Sequence, residues 1–469
     1  MLKSGDYHHR EDLKAGDRFM GSNKNERPPL SDAKPKLNAW VRLFPIVFFV
    51  SYLAFTVFVF VCGPWPWPVA DGTKLYVYLA LVHIALLLGY LSAAFLSPRG
   101  YYGRWSVRRL VILSLIVNIL VFFPTALFRT GKILPNLIFG LLYPGLAFQG
   151  SLILRQESTP IIEYIRLILG PLIYPLLPLV VFYWRRLSFK IRIISILSLL
   201  STIALFISMG TNKAIADTIL LTPWLILAGH LSGVSRLKRS RRVALVVVSV
   251  ISIVLFGSFF TATQATRTGS SAYNQYFPSI GLGADPGNFM VRDLPPLVRT
   301  GVLGITSYLS QGYYALYLTL DEPFVPMFGV GNSMFLFRQA ARITGNDGIM
   351  EMPYPMRIEK YGWNAYSNWS TIYPWIASDV SFLGSILVVF LIGRFFALSW
   401  LDSLQGANPF AVVVFSQFLI MLFYFSGNNQ CLQTGEGFTA FWVLLILWLL
   451  TRRTKMPGPR LWSPLSVIP

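Results

Sequence analysis

The sequence predicts an all-α polytopic integral membrane protein of about 10–12 transmembrane helices with one large extracytoplasmic loop subdomain. Of its 469 residues, 54% are hydrophobic and 13% are charged, about half the charged fraction of a soluble domain. Several stretches of about 20 residues carry hardly a charge, which is the length that crosses a hydrocarbon core of about 30 Å. Together these observations exclude a soluble globular protein and a disordered chain.

The membrane helices are predicted from apolar segments that end at proline, glycine or charge. In chain order, the ten segments are 41–63, 75–97, 110–128, 161–184, 193–209, 214–232, 243–262, 372–396, 410–426 and 438–451. A further apolar stretch, 133–154, is interrupted by prolines and glycines, and the sequence leaves open whether it re-enters the membrane or forms a packed hairpin. The predicted organisation is a flexible cytoplasmic tail (1–40), N-terminal membrane helices (41–262), a loop subdomain (263–371), C-terminal membrane helices (372–451) and a cytoplasmic tail (452–469).

The distribution of basic residues predicts the orientation. Loops 98–109, 185–192 and 235–242 each carry four or five Lys or Arg and no acid, and the tail 452–469 is also basic. Because cytoplasmic loops concentrate positive charge, both termini are predicted to be cytoplasmic. The same rule accounts for the net charge of +20, so we expect no nucleic-acid partner.

This orientation places residues 263–371 outside the cytoplasm. The segment carries seven basic and seven acidic residues, and a loop of this length without structure would be uncommon. We therefore expect a folded subdomain, with helices over 297–320 and over 333–343, the second capped by Asn332 or Ser333 and followed by Gly345.

Charges inside membrane segments need a partner or a function. Lys213 and Asp217 are spaced i, i+4 and can pair on one helix face; they form either a structural ion pair or a lysine presented to an anionic ligand. Glu163 and Arg166, spaced i, i+3, are predicted to form a structural pair. Asp379 is the only acid in the apolar segment that starts at 372, and we interpret it as an orienting group or proton acceptor.

The loop subdomain offers arginines for an anionic ligand. Arg338 and Arg342 share one face of the predicted 333–343 helix, where two like charges repel unless an anion lies between them. Guanidinium groups match phosphate oxygens, which indicates phosphate binding, although each arginine could instead bond a loop acid. The remaining candidates in this segment are Arg267, Arg292, Arg299 and Arg357.

Aromatic residues, including Trp363 and Trp369, are concentrated at the end of the loop segment, just before the apolar segment that starts at 372. They form either an interfacial aromatic belt or a surface for stacking against sugar rings. The loop contains no histidine, and the chain has no cysteine cluster and no nucleotide-binding loop, so no metal site and no cofactor are predicted. Its two cysteines, Cys62 and Cys431, are not assigned as a disulfide from sequence.

The chain resembles the Wzy-type oligosaccharide repeat-unit polymerases of bacteria, which are related to the O-antigen ligases. The resemblance is architectural over most of the chain and lies at motif level in four pieces: MGTNK (209–213), YLSQGYYAL (308–316), FGVGNSMFLFRQ (328–339) and YPWIASDVSFLG (373–384). Relatives usually have a Gly-Ser-Arg type turn where this chain has Gly-Thr-Asn-Lys. The ligases also use a loop histidine that is missing here, which favours a polymerase.

The resemblance implies a GT-C-like, metal-independent inverting glycosyltransferase in the bacterial inner membrane, acting on undecaprenyl-pyrophosphate-linked oligosaccharides at the periplasmic face. Its partners would be those glycolipids, membrane lipid and a chain-length regulator protein. A departing pyrophosphate needs preorganised cations, and the acceptor hydroxyl needs a base. The expected roles are pyrophosphate binding by Lys213, Arg267, Arg292, Arg299, Arg338, Arg342 and Arg357, proton acceptance by Asp379, Asp293 or Glu359, and sugar binding by Tyr308, Tyr313, Trp363 and Trp369.

Two other functions stay open at this point. An O-antigen-type ligase would transfer the glycan to another lipid acceptor. A glycolipid flippase or transporter would need polar residues along a midplane cavity, whereas this chain places its ionisable residues near segment ends.

Overall fold

A computed structural model describes residues 38–103, 105–157, 161–235, 237–267 and 276–453. The predicted tails 1–40 and 452–469 lie almost entirely outside these ranges. The described chain is mostly helical, and its first ten helices are α1 (Ala39–Cys62), α2 (Thr73–Ala94), α3 (Val107–Thr130), α4 (Leu137–Leu142), α5 (Pro144–Glu157), α6 (Ile161–Ile173), α7 (Leu176–Phe182), α8 (Phe189–Ser208), α9 (Lys213–Leu231) and α10 (Arg239–Arg267). The remaining helices are α11 (Pro296–Thr319), α12 (Met334–Thr344), α13 (Tyr354–Arg357), α14 (Ile372–Leu404), α15 (Pro409–Phe423) and α16 (Gly435–Thr451).

All ten predicted apolar segments are helical. Seven helical stretches of the described residues are long and apolar enough to cross a membrane, namely α1, α2, α3, α6 with α7, α8, α9 and α14. The shorter α15 is buried along nearly its whole length, because α7, α9, α14 and α16 pack around it. The prediction of an all-α, multi-pass membrane protein is confirmed.

Sheet structure in the described ranges is confined to two pairs of two-residue antiparallel strands. β1 (Gly100–Tyr101) pairs with β4 (Arg452–Arg453), and β2 (Tyr276–Phe277) pairs with β3 (Leu282–Gly283). The first pair joins the basic loop after α2 to the chain that leaves α16.

One end of the bundle, here called the basic end, collects the predicted basic loops. The side-chain amide of Gln405 donates to the Pro98 carbonyl at 3.0 Å, and the Tyr183 hydroxyl donates to the Gly406 carbonyl at 3.2 Å. Asp402 is fully buried there and accepts hydrogen bonds from Arg452 and from the Trp448 indole. The loops that follow α2, α7, α14 and α16 therefore meet on one side, as the charge pattern predicts.

The opposite end, here called the loop end, carries the described part of the 263–371 segment. The Asp285 amide donates to the Pro64 carbonyl at 2.7 Å, and the Trp65 indole donates to the Leu303 carbonyl at 3.2 Å, so this segment rests on the turn after α1. The predicted helices over 297–320 and 333–343 are α11 and α12, and Ser333 and Gly345 flank α12 as expected.

The stretch 133–154 forms two short helices, α4 and α5, that break at Tyr143. Each is shorter than the roughly 20 residues that a span requires. Gly140 packs directly on α8, where an added Cβ would lie 2.2 Å from the Ile207 carbonyl oxygen. The stretch is thus a broken helical pair packed against α8 and α3.

Candidate functional site

Three ion pairs lie where membrane helices reach the loop end. In the first, Arg129 at the end of α3 holds Glu163 of α6 with two parallel hydrogen bonds, Nε to Oε1 and Nη2 to Oε2, both 2.9 Å. Such a bidentate arrangement is the strong geometry for an arginine and a carboxylate. It ties α3 to the first turn of α6.

The second pair joins Arg166 of α6 to Glu436 of α16, with an Nη2 to Oε2 distance of 2.6 Å and each side chain 12% exposed. Arg166 also donates to the Thr125 hydroxyl at 3.2 Å. The predicted pairing of Glu163 with Arg166 is therefore wrong: each residue finds its partner on another helix. The helix face that carries both residues packs against α3 and α16, so each side chain meets an opposite charge on a neighbouring helix.

The third pair, Lys213 and Asp217, is the predicted one. The Lys213 Nζ lies 2.7 Å from Asp217 Oδ2, and the side chains are 33% and 24% exposed. The Tyr424 hydroxyl donates to the other Asp217 oxygen at 3.3 Å, and its ring lies 5.5 Å below the lysine nitrogen. This pair is more accessible than the Arg166–Glu436 pair.

The turn before Lys213 depends on Gly210. Its φ is +62°, a conformation that favours glycine, and an added Cβ would lie 2.0 Å from the Pro144 carbonyl oxygen. Asn212, the residue before α9, is 8% exposed, yet both polar atoms of its side chain are buried without a hydrogen-bond partner. This unpartnered amide stands directly beside the lysine.

The three pairs are neighbours. Tyr174, which directly follows α6, lies within electrostatic range of Glu436, Arg166 and Asp217, and Arg129 lies within range of Glu436. Cys431, which like Cys62 is a free cysteine, lies near Lys213 and Asp217, and burial raises the pKa of its thiol to about 12. The thiol is therefore neutral and unreactive. The groups of this site that can bind a charged ligand are the lysine, the arginines and the carboxylates.

Two of the predicted sugar-binding residues border this cluster. Tyr308 of α11 and Trp369 are half-buried, and their ring centroids are 5.4 Å apart. Tyr308 lies close enough to Tyr424 for the two hydroxyls to interact electrostatically. The geometry therefore connects the lysine, the carboxylate and an aromatic pair.

The other two predicted sugar-binding residues are packing residues. Tyr313 and Trp363 are both 0% exposed, so neither ring has a free face. Tyr313 shares a 2.8 Å hydrogen bond with Thr56 of α1, and Trp363 packs among the rings of Phe277 and Tyr314. We therefore reassign Tyr313 and Trp363 from sugar binding to the packed core of the loop end.

The loop arginines are spread over several environments. Arg299 is committed to the fold, since it donates to the carbonyls of Val291, Arg292 and Leu294. Arg292 pairs with its exposed neighbour Asp293, with Nε and Oδ2 3.0 Å apart. The backbone of Arg267 ends α10, and its side chain lies outside the described part of the chain.

Arg338 and Arg342 lie on α12 and are both exposed. The Arg338 guanidinium lies 5.2 Å from the Tyr366 ring centre, and Arg342 donates to the Tyr164 hydroxyl at 2.7 Å. Neither pairs with an acid among the described residues. They are thus the loop arginines best placed to meet an anion.

Arg357 belongs to a separate polar cluster around Glu322. The Glu322 carboxylate accepts from Lys360 at 2.7 Å and from the Tyr361 hydroxyl at 3.0 Å, and Arg357 lies 3.8 Å away. Burial raises the pKa of Glu322, but the hydrogen bonds from Lys360 and Tyr361 and the two positive charges outweigh it, so the pKa lies below its ordinary value. Arg357 also keeps two buried guanidinium nitrogens without a partner.

Asp379 is engaged as an anchor for the 328–332 turn. One carboxylate oxygen accepts from the amides of Gly329 and Gly331 at 2.9 and 2.8 Å, and the other accepts two hydrogen bonds from Asn332. The four donors occupy both carboxylate oxygens and fix the orientation of the side chain. The exposed Glu359 accepts from Asn364 at 2.5 Å and lies in the loop, away from the ion pairs described above.

Three residues of the cluster were missed from sequence: Arg129, Glu436 and Tyr424. Arg129 and Glu436 are single charges next to long apolar runs, which is the signal that could have marked them. Comparisons with family models, curated proteins and solved structures give no match to this chain.

Proposed function

We propose that this protein is a metal-independent inverting glycosyltransferase of the Wzy-type polymerase kind, which joins undecaprenyl-pyrophosphate-linked oligosaccharide repeat units. In this proposal the loop end faces the periplasm of a bacterial inner membrane, and the basic end with both termini faces the cytoplasm. The multi-helix architecture with a folded segment before the last membrane helices supports it.

The observation that carries the proposal is the accessible Lys213–Asp217 pair beside Tyr308 and Trp369. A sugar pyrophosphate donor presents a doubly charged leaving group next to a sugar ring. The lysine at the start of α9 supplies the cation, and the aromatic pair supplies a surface on which the sugar's C–H faces can stack. Tyr424 is the residue that both share: its ring lies 5.5 Å from the lysine nitrogen, and its hydroxyl interacts electrostatically with that of Tyr308.

Asp217 shares the lysine with the leaving group. A pyrophosphate oxygen that takes the Lys213 ammonium displaces the Asp217 carboxylate from its ion pair, so Asp217 lies on the leaving-group side of the sugar. The acceptor hydroxyl attacks the anomeric carbon from the opposite side, which inverts its configuration, and gives its proton to water or to a base on that side.

The direct test is the surface glycan of a strain that lacks the protein. We expect single repeat units in place of the ladder seen by gel electrophoresis, with unpolymerised repeats on undecaprenyl pyrophosphate identified by mass. Long undecaprenyl-linked chains would instead indicate a ligase, and repeats confined to the cytoplasmic face would indicate a flippase. An unchanged glycan would contradict all three.

The site is tested in the same strain by complementation. Lys213→Ala should fail to restore the ladder while reaching the membrane in normal amounts. Lys74→Ala is the matched control, because Lys74 also pairs with an acid at the loop end but is 72% exposed and lies away from the cluster. Full restoration by Lys213→Ala would remove the lysine from the mechanism.

A further inference from the structure

The chain between α11 and α12 contains an apolar stretch, here called the apolar connection. It spans residues 323–330, reads PFVPMFGV and includes no charged or polar side chain. One side of the connection packs inward, since Met327 is buried in an apolar cluster and Val330 packs against that cluster. The other side presents Phe324 and Phe328 outward, and Phe328 is 90% exposed.

The backbone holds Phe328 in this outward position at a conformational cost. Its φ is +52°, in the left-handed region that residues with a Cβ rarely adopt. The turn is fixed on both sides of the ring. The Met327 amide donates to the Ser378 carbonyl at 3.2 Å, and Asp379 accepts from the Gly329 amide at 2.9 Å. A strained backbone that its surroundings enforce on an exposed aromatic residue indicates a function for that residue.

Both ends of the apolar connection are tied to membrane helices. Asp321, two residues before it, pairs with Lys74 in the first turn of α2. Asp379 directly precedes an exposed apolar stripe on α14, formed by Val380, Leu383, Leu387 and Leu391. The matching stripe on α2 is formed by Tyr76, Val77, Leu81, Ile84 and Leu88. Apolar stripes exposed on membrane-crossing helices face lipid, so the connection lies where the lipid-facing surfaces of α2 and α14 begin.

Two physical requirements restrict where such a connection can lie. Its backbone belongs to neither a helix nor a strand, so it cannot enter the hydrocarbon core, where unpaired amides and carbonyls are costly. Its exposed rings, in contrast, gain free energy by leaving water. Both requirements are met at the bilayer interface, where the backbone stays among hydrated head groups while the rings enter the acyl-chain boundary.

We propose that the apolar connection anchors the loop end in the interface of the surrounding phospholipid bilayer, with Phe324 and Phe328 inserted at the boundary between head groups and acyl chains. The partner is the lipid surface itself, without a preference for head-group charge, because the connection carries no charge. The inference goes beyond the proposed function and does not depend on it, since it uses only the membrane helices and the turn attached to them.

The placement is tested with the full-length protein in phosphatidylcholine nanodiscs that each hold one copy. A fluorescent aromatic amino acid replaces Phe328 in one preparation, Leu387 of the α14 stripe in a second, and the exposed Asp293 in a third. Nitroxide groups on the lipids, either just below the head group or near the end of the acyl chain, quench the fluorophore on contact. We expect position 328 to be quenched mainly by the shallow nitroxide, position 387 mainly by the deep nitroxide, and position 293 by neither.

Three results would overturn the anchor. Absence of quenching at position 328, as at position 293, would place the ring in water. Quenching mainly by the deep nitroxide, as at position 387, would place the connection inside the hydrocarbon core. Quenching at position 328 that disappears when each disc holds two copies would show that this face binds a second copy in preference to lipid.

The contribution of Phe328 is tested with the fluorophore at position 324. Phe328→Asp should reduce the shallow quenching there to the level of position 293, because the carboxylate keeps the turn in water. Ile343→Asp is the matched control and should leave this quenching unchanged, since Ile343 is 82% exposed at the end of α12, outside the connection. Undiminished quenching at position 324 in Phe328→Asp would contradict the anchor.

Phe328→Gly separates anchoring from folding. Glycine adopts a positive φ without strain, so this variant should not lower the melting temperature of the detergent-solubilised protein, yet it should lose the shallow quenching at position 324. A lower melting temperature would show that the Phe328 ring packs on the protein and would contradict its insertion into lipid.

Discussion

Asp379 and Asn332 are joined by two hydrogen bonds, one from the Asn332 backbone amide at 2.9 Å and one from its side-chain amide at 2.6 Å. The two residues are 47 positions apart and belong to different elements, the start of α14 and the turn before α12. This contact attaches the turn carrying Gly329 and Gly331 to the membrane helix. It also sets the direction in which α12 and its two arginines leave the bundle.

We expect Asp379→Asn to destabilise the protein by about 1.5–3 kcal/mol, because it removes the charge from an acceptor of four hydrogen bonds. Thermal unfolding in detergent micelles measures the change. Asp321→Asn, at an exposed ion pair, is the control and should be neutral. Unchanged stability with complete loss of glycan polymerisation would instead make Asp379 a proton acceptor.

Glu436→Gln should cost about 3–5 kcal/mol of unfolding free energy, because it leaves Arg166 charged and buried without its partner. Lys74→Ala removes an exposed pair that solvent screens and should leave the unfolding free energy unchanged. The two variants are compared by thermal unfolding under the same conditions. Similar small losses for both would show that water or another group satisfies Arg166.

The two pairs of aromatic residues should respond differently to substitution. Tyr313→Phe removes a buried hydroxyl that bonds Thr56, so we expect a stability loss of about 1 kcal/mol with unchanged polymerisation. Tyr308→Ala should weaken polymerisation in membranes supplied with lipid-linked repeats, chiefly by raising the substrate concentration needed. If Tyr308→Ala polymerises with the same substrate dependence as wild type, Tyr308 does not stack against the sugar.

The ion pairs of Glu322 predict that the folded loop end loses stability at acidic pH. Because its pKa is lower in the folded protein than the ordinary value of 4.5, its contribution to stability is complete above that pH and is lost as the pH falls through the lowered pKa. The melting temperature of wild type should therefore exceed that of Glu322→Gln at neutral pH, and the difference should shrink on acidification below about pH 4.5. A difference independent of pH would contradict the ion-pair interpretation.

The helical elements follow from the sequence because their cause is local. A bilayer requires about 20 apolar residues with internally satisfied backbone, and every predicted apolar segment is a helix. The boundaries of α12 were also predictable, since Ser333 precedes its first residue and Gly345 follows its last. The Lys213–Asp217 pair was predictable for the same reason, because its i, i+4 spacing lies within a single helix.

The partners of the other charges and rings were decided by the tertiary structure. Glu163 pairs with Arg129 on α3 and Arg166 with Glu436 on α16, because those helices pack against α6. In the same way Tyr308 stays accessible while Tyr313, five residues along α11, is enclosed by α1. Hydropathy and spacing describe one helix at a time, whereas which helices become neighbours depends on packing between segments that are distant in sequence.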